Sequence, residues 1–376
     1  MTSSVFVSYR PFLTGSGGGV QVCTQEYVKV LETAGYQLRL VLFDQDRRVS
    51  TRVLRRLFSS PYNRPVPSDL AQRVIAEVRA TSAEVVFLNQ VALAAIAPEI
   101  KRILPGTKIV VLSHGLESTD LVHAARLRGR LPAATLFAPA AEPVLGHVLV
   151  NETKLRSSVD AVCTLSPSDA DLERWMGARH VCWIPRSVEP ELLDWTPVRA
   201  RFGFVGTLDH PPNLEGLAMA LDALQSMGGD AIRVRLVGGP RTVSERLSRD
   251  YGIIEPLGVL DDDALKAEAA TWSAFLHPIF SLARGCSTKL ATALSWGIPV
   301  VTTDYGRRGY VWAKGDLTIG NSPFEFAHEC NRLLDLDVAG KARAAVIEVA
   351  KSTPKISDNA LEVKTFLLNS LEQRWY

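Results

Sequence analysis

The chain predicts two parallel α/β domains in tandem, and three observations carry that reading. Apolar, β-branched runs alternate with stretches of helical periodicity along most of the sequence. The pattern breaks once, near the middle, into Pro-punctuated chain. The length of 376 residues exceeds what one core of ordinary size holds.

The elements follow in order. Val5 to Tyr9 reads as a first strand, and "TGSGGG" as a glycine-rich turn behind it. A helix is predicted from about Val20 to Ala34, with Val20, Cys23, Tyr27, Val30 and Leu31 on one stripe and Gly35 as its stop. "YQLRLVLFD" is the second strand. "AEVVFLN", "KIVVLSH" and "DAVCTLS" are further strands, separated by helical stretches such as Pro67 to Arg79. "WIPRSVEPELLDWTPVRA" is the expected linker, splitting the chain between about Arg186 and Val198. Alternation then resumes with "ARFGFVGTL", "RVRLVGG", "IIEPLGV", "AFLHPI" and "IPVVTT". "SPFE" at Ser322 to Glu325 has the form of a capping box with Pro at the first helical position. A last helix, about Asn359 to Gln373, carries Leu361, Phe366, Leu367 and Leu371. The expected domains are residues 1–185 and 199–352, with 353–376 packing back on the first.

Composition removes several classes of function. A 47% hydrophobic and 22% charged chain is globular, and a formal net charge of +2 gives no case for nucleic-acid binding. Five scattered cysteines and seven histidines form neither a C-x-x-C pair nor an H-E-x-x-H, so no metal is expected. The N-terminus lacks a basic region followed by a long apolar stretch, and no apolar run reaches the ~20 residues of a spanning helix. A cytoplasmic protein is expected. The basic stretch "DRRVSTRVLRRLF" (Asp46 to Phe58) is either a solvated helix or a membrane-surface patch at the inner face.

In open α/β sheets ligands bind beyond the carboxyl ends of the strands. There the first domain offers Gly17, Gly18, Gly19 and His114. The second offers Gly206, Thr207, "DHPPN" with Asn213, Gly238, Leu257 to Val259, and "RGCSTK". Glycine clusters admit a phosphate to backbone N–H groups, and a helix N-terminus completes the anion site. Lys289 and Arg284 stand at the start of the helix carrying Leu290, Ala293 and Leu294. The helix dipole disfavours cations there by a few tenths to about 1 kcal/mol, so an anion is expected to arrive from outside.

The segments "FVGTLDHPPNLEGL", "RLVGG", "PLGVLDDDAL" and "LHPIFSLARGCSTKLATALSWGIPVVTTDYGRRGY" resemble the retaining, GT-B-type nucleotide-sugar glycosyltransferases. This is the large family that includes bacterial mannosyl-, rhamnosyl- and sucrose-type transferases. "LSHGLEST" and "DAVCTLSPSDADL" extend the resemblance into the first half. It implies two Rossmann-like domains facing across a cleft, no cofactor, and transfer from a nucleoside-diphosphate sugar to a glycan, lipid-linked or other hydroxyl acceptor. It also implies His114 beside the donor sugar, with Lys289 and Arg284 on the diphosphate. Donor contacts are expected from Gly206, Thr207, Asn213, Gly238, Gly285, Cys286, Ser287, Thr288 and Thr292, with the base on Leu257, Gly258 and Val259. The family's two glutamates of this segment are replaced by Arg284 and Thr292, and its phosphate-binding cations after "FVG" are absent from "TLDHPPN".

Two rivals come from the same residues. Gly15-x-Gly17-x-x-Val20 after a strand, with Asp44 ending the next, has elements of a dinucleotide-binding oxidoreductase. A glycosyltransferase-like binding or partner subunit without catalysis is the other.

Overall fold

A computed structural model describes residues 2–15, 18–44, 66–126, 141–228 and 231–372. The chain divides into two compact units. The first comprises Met1–Val122, Ala138–Pro185 and Lys355–Tyr376, and the second His123–Phe137 and Arg186–Pro354.

The first unit is built on six parallel strands: β1 (Thr2–Tyr9), β2 (Tyr36–Phe43), β3 (Val85–Asn89), β4 (Lys108–Leu112), β5 (Ala161–Thr164) and β6 (Val181–Trp183). Their spatial order is β2-β1-β3-β4-β5-β6. β3 and β4 are buried along nearly their whole length, as strands covered by helices on both faces must be. One face packs Val5, Val7, Val86, Leu88, Ile109 and Val111 against the Leu70–Thr81 and Ala97–Ile103 helices. Each such buried aliphatic side chain stabilises by about 1.5–3 kcal/mol.

The second unit has its own six-stranded parallel sheet. Its strands are β7 (Val198–Val205), β8 (Arg233–Val237), β9 (Ile254–Gly258), β10 (Trp272–Leu276), β11 (Val300–Thr302) and β12 (Thr318–Ile319). Read from one edge, the order is β9-β8-β7-β10-β11-β12. That is the 3-2-1-4-5-6 arrangement of a dinucleotide-binding sheet, whose order reverses between its first and fourth strands. The reversal here lies between β7 and β10.

Several sequence expectations need correction. A short helix, Arg10–Thr14, intervenes between β1 and the glycines, and the next helix starts at Gly19 rather than Val20. The Pro67 helix begins only at Leu70. In the last helix, Ile356–Glu372, the buried stripe is Ala360, Val363 and Leu367, whereas Leu361 is exposed. Of the expected Leu361, Phe366, Leu367 and Leu371, Leu367 is fully buried and Phe366 and Leu371 are half-buried, so only Leu361 falls off the packed face. This helix lies against Gly19–Thr33 within the first unit, where Asn359 Nδ2 donates to the Pro185 carbonyl at 2.7 Å. The capping box is formed, with Ser322 Oγ accepting from Glu325 N–H and the Glu325 carboxylate accepting from Ser322 N–H.

Candidate functional site

The reversal point of the second sheet places β7 and β10 side by side, so their carboxyl ends form the crevice where such sheets bind ligands. β7 ends in Val205 and leads through Gly206 and Thr207 to the Pro211–Ser226 helix. β10 leads through His277 into the loop that starts the Thr288–Ser295 helix.

Lys289 sits in the first turn of that helix. Its Nζ donates to Asn213 Oδ1 at 2.5 Å and lies 5.9 Å from the centre of the Phe204 ring. Asn213 is oriented in turn, because its Nδ2 donates to the Thr207 carbonyl at 2.9 Å. Lys289 is half-buried, and burial lowers the pKa of its ammonium to about 8. Among the described residues no carboxylate pairs with it. A charge removed from water and left without a counter-charge is costly. The geometry is that of half an ion pair.

The helix N-terminus beside it is open as well. Ser287 holds the N-cap position but makes no side-chain cap bond, because its Oγ is 2.7 Å from His277 Nε2. His277 Nδ1 is 2.8 Å from Thr302 Oγ1 at the end of β11. Burial first, then Lys289 and Arg308, hold this imidazole well below its ordinary pKa. His277 is therefore neutral and spans Ser287 and Thr302. The Ser287 carbonyl accepts from the Tyr310 hydroxyl, which anchors the turn from the other side. The first N–H groups of the helix, at Thr288, Lys289 and Leu290, receive no side-chain cap. Positive backbone dipoles and a half-buried ammonium thus occupy one place.

Glycines shape the floor. Gly238 has φ +131°, and a Cβ on it would lie 1.9 Å from the Gly206 carbonyl oxygen. A Cβ on Gly206 would meet Lys289 Cε and Nζ at 3.1 Å. The ends of β7, β8 and β9 are tied together, since Leu208 N–H donates to the Gly239 carbonyl and Gly238 N–H to the Gly258 carbonyl, each at 2.7 Å. Only a chain without side chains here lets these backbones and Lys289 approach so closely.

The structure brings Gly206, Thr207, Asn213, Gly238, Gly258, Ser287, Thr288 and Lys289 onto one rim. Gly285 and Cys286 are buried just before Ser287. Leu257 is half-buried, while the Val259 side chain is 82% exposed, so its backbone is the part able to hold a ligand. Thr292 Oγ1 donates to the Thr288 carbonyl at 3.2 Å. Arg284 is half-buried, and its carbonyl accepts from Arg308 at 3.0 Å. The Pro211 helix has His210 as its N-cap residue without a side-chain cap bond, so neither Asp209 nor His210 caps it. Asp261 does cap its helix, accepting from Ala264 N–H at 2.8 Å. His277 was visible in the sequence as a strand-end residue but carried no assignment. Its role depends on Ser287 and Thr302, ten and 25 positions away.

In the first unit, His114 follows β4 and is 8% exposed. Its Nε2 is 2.7 Å from Asn89 Oδ1, and the Tyr27 ring meets it edge-on at 5.5 Å. Gly18 is the N-cap of the Gly19–Thr33 helix, which Gly19 opens. Gly17 and the basic stretch Asp46 to Phe58 lie outside the described residues. Against the oxidoreductase reading, the Arg10–Thr14 helix separates β1 from Gly15, and Asp44 accepts from Arg10 Nε at 3.1 Å. Among the described residues, no group of three His, Cys, Asp or Glu side chains could hold a metal ion. None of the described helices is long and apolar enough to cross a membrane.

These features define a class, the GT-B α/β proteins with two Rossmann-like units. Residues 199–336, all within the second unit, match the family model described as "Glycosyl transferases group 1". The chain is similar in fold to sucrose-phosphate synthase from Thermosynechococcus elongatus, at 14% identity and a TM-score of 0.66, covering 98% of this chain and 99% of that one. It is likewise similar to Anabaena Alr3699/HepE in complex with UDP and glucose, at 15% identity and a TM-score of 0.64, covering 98% and 100%. An E. coli trehalose-6-phosphate protein bound with UDP-2-fluoro glucose aligns at 13% identity and a TM-score of 0.59, covering 99% and 100%. No curated protein sequence matches the chain.

Proposed function

We propose that the protein transfers a sugar from a nucleoside-diphosphate donor to a hydroxyl of a glycan or lipid-linked acceptor, with retention and without a metal or cofactor. One observation carries the reading: a half-buried Lys289 that pairs with no carboxylate among the described residues, at an uncapped helix N-terminus on the sheet's reversal point. A diphosphate supplies the missing charge. As the bond from the anomeric carbon to the diphosphate breaks, positive charge grows on the sugar and negative charge on the leaving phosphate. Lys289 and the N–H groups of residues 288–290 meet the latter with little reorganisation. Arg284 adds a second cation on the same loop. Neutral His277 holds Ser287 in place through a hydrogen bond.

The leaving diphosphate itself takes the acceptor's proton, which accounts for the lack of a dedicated base near Lys289. The backbone of Leu257 to Val259 holds the nucleobase, and Thr292 reaches the ribose with a single hydroxyl. UDP is the favoured nucleotide, because the similar structures carry it by name. His114 serves the sugar end of the donor, a role supported by resemblance. The protein works on the cytoplasmic side, with peripheral membrane contact where the acceptor is lipid-linked.

A thermal-shift series over nucleotide-sugars tests this. A donor at 100 times its Kd should add about 2.7 kcal/mol to the unfolding free energy. Stabilisation by the nucleoside-diphosphate forms and none by the free sugars is expected. A series without any stabilising nucleotide-sugar would contradict the donor assignment.

A further inference from the structure

The first unit carries a cavity of about 520 Å³ that the proposed chemistry leaves unused, at the amino ends of its strands. Lys108 opens β4, Asp160 stands just before β5, and Arg179 and His180 lead into β6. Lys101 and Arg102 come from the last turn of the Ala97–Ile103 helix, and Arg156 ends the Ala141–Arg156 helix. All of these residues belong to the first unit. β4 runs from Lys108 to Leu112, so His114 lies beyond the opposite end of the same strand. Five cations thus line the cavity, and Asp160 is the one carboxylate among the described lining residues.

Two of the five cations are matched within the protein. Lys101 Nζ donates to Asp160 Oδ2 at 2.6 Å and to the Thr107 carbonyl at 2.9 Å, and Asp160 also accepts from Ile109 N–H at 2.7 Å. Buried Arg156 pairs with Glu173 at 2.7 Å, and Glu173 accepts from Ser113 Oγ at 2.8 Å. These pairs are fixed parts of the wall. Arg102, Lys108 and Arg179 pair with no carboxylate among the described residues. Lys108 is half-buried, and the two arginines are exposed. Cations in a last helical turn complement the negative end of the helix dipole, which accounts for Lys101, Arg102 and Arg156. It does not account for Lys108 or Arg179, which lie outside the helices. The two helix ends supply about half a negative charge each, so after Asp160 and Glu173 about two positive charges are left on the wall.

Like charges gathered around one cavity repel one another, and an anion that enters relieves the repulsion. Phosphate matches this surplus in charge, and its oxygens accept from an arginine fork in pairs. The volume falls within the roughly 300–1,000 Å³ of small-molecule sites and exceeds what a bare phosphate fills. The Ser158 and Ser370 hydroxyls line the same cavity and suit the hydroxyl groups of a ligand. No Phe, Tyr or Trp is among the described lining residues, so no such ring is there to stack a nucleobase. We propose that this cavity is a second anion site, which takes a phosphorylated polyol with its phosphate on Arg102, Lys108 and Arg179. The site belongs to the first unit and does not depend on the reading of Lys289 in the second.

Phosphorus-31 NMR of ribose 5-phosphate, titrated with the full chain carrying Lys289→Met, tests the proposal. That variant takes the proposed diphosphate site out of the reading. Saturable binding is expected with a Kd below about 1 mM at low ionic strength, weakening as salt screens the cations. Inorganic phosphate should bind more weakly than ribose 5-phosphate, and ribose should not compete. Adding Lys108→Gln with Arg179→Gln should weaken binding at least about tenfold, because a charge-assisted contact is worth a decade or more. Adding Arg79→Gln with Lys341→Gln instead removes equal charge from exposed positions elsewhere and should leave the Kd nearly unchanged. Equal losses in the two pairs would overturn the proposal, since the effect would then be one of net charge. So would a titration that fails to saturate up to on the order of 10 mM, or inorganic phosphate binding as tightly as ribose 5-phosphate. Should the Lys108 variant fail to fold, Arg179→Gln alone, at an exposed side chain, carries the same expectation and the same refutation.

Discussion

Lys289→Met separates a phosphate site from ordinary packing. The substitution keeps the length and most of the volume of the side chain and removes only the ammonium. Burial holds that ammonium at a pKa of about 8 against an ordinary 10.5. At 1.36 kcal/mol for each tenfold change, keeping it charged at neutral pH costs roughly 3 kcal/mol. The folded pKa is depressed, so the unfolded chain binds more protons between pH 8 and 10.5. Wild-type stability should rise with pH across that window, and the cost is fully present below it. Ligand-free Lys289→Met should therefore unfold at a higher denaturant midpoint than the wild type at pH 7, with the gap closing above about pH 10.

Binding should move the other way. A charge-assisted contact to a diphosphate is worth about 1.5–3 kcal/mol, which is roughly tenfold to a hundredfold in Kd at 1.4 kcal/mol per decade. Calorimetric titration should show that loss for UDP and almost none for uridine, which has no phosphate. Equal losses for UDP and uridine would refute the reasoning and turn Lys289 into a packing residue. So would a Lys289→Met protein less stable than its parent at neutral pH.

Three further outcomes follow from the same geometry. Nucleoside-diphosphate affinity in the wild type should weaken as pH rises through about 8, where the empty-site Lys289 loses its proton, and this slope should vanish in Lys289→Met. Gly238→Ala forces a Cβ to within 1.9 Å of the Gly206 oxygen at a φ of +131°, and should destabilise by roughly 2 kcal/mol or more in chemical denaturation while weakening UDP binding. Ser322→Ala removes one half of the capping box and should cost about 1 kcal/mol of stability with no change in UDP affinity, measured by denaturation and calorimetry on the same preparation.

Much of this architecture was legible because parallel sheets advertise themselves. Long buried strands such as Val85–Asn89 and Lys108–Leu112 are runs of apolar residues, and Gly297 marks a helix end with φ +64°. Strand ends then direct attention to Gly206, Gly238 and Lys289. Val181–Trp183 and Thr318–Ile319 were not legible, because they are three and two residues long and lack the β-branched run that marks the equally short Val300–Thr302. Exposed Leu361 misled because hydrophobic identity alone does not choose a helix face. The site's inner logic was the least legible part. Lys289 finds Asn213 76 positions away, and His114 finds Asn89 25 away. Such pairings are set by which strands neighbour one another, and no local spacing encodes them. Asp44 shows the same point from the other side, since Arg10 occupies the carboxylate that a dinucleotide ribose would need.

Donor cleavage tests the central claim most directly. The purified chain is incubated with a panel of nucleoside-diphosphate sugars, and release of the nucleoside diphosphate is followed with and without simple hydroxyl acceptors. The account predicts release from at least one donor by the wild type, and a loss of at least tenfold in Lys289→Ala. Equal release by wild type and Lys289→Ala, or no release and no binding across the whole panel, would contradict it.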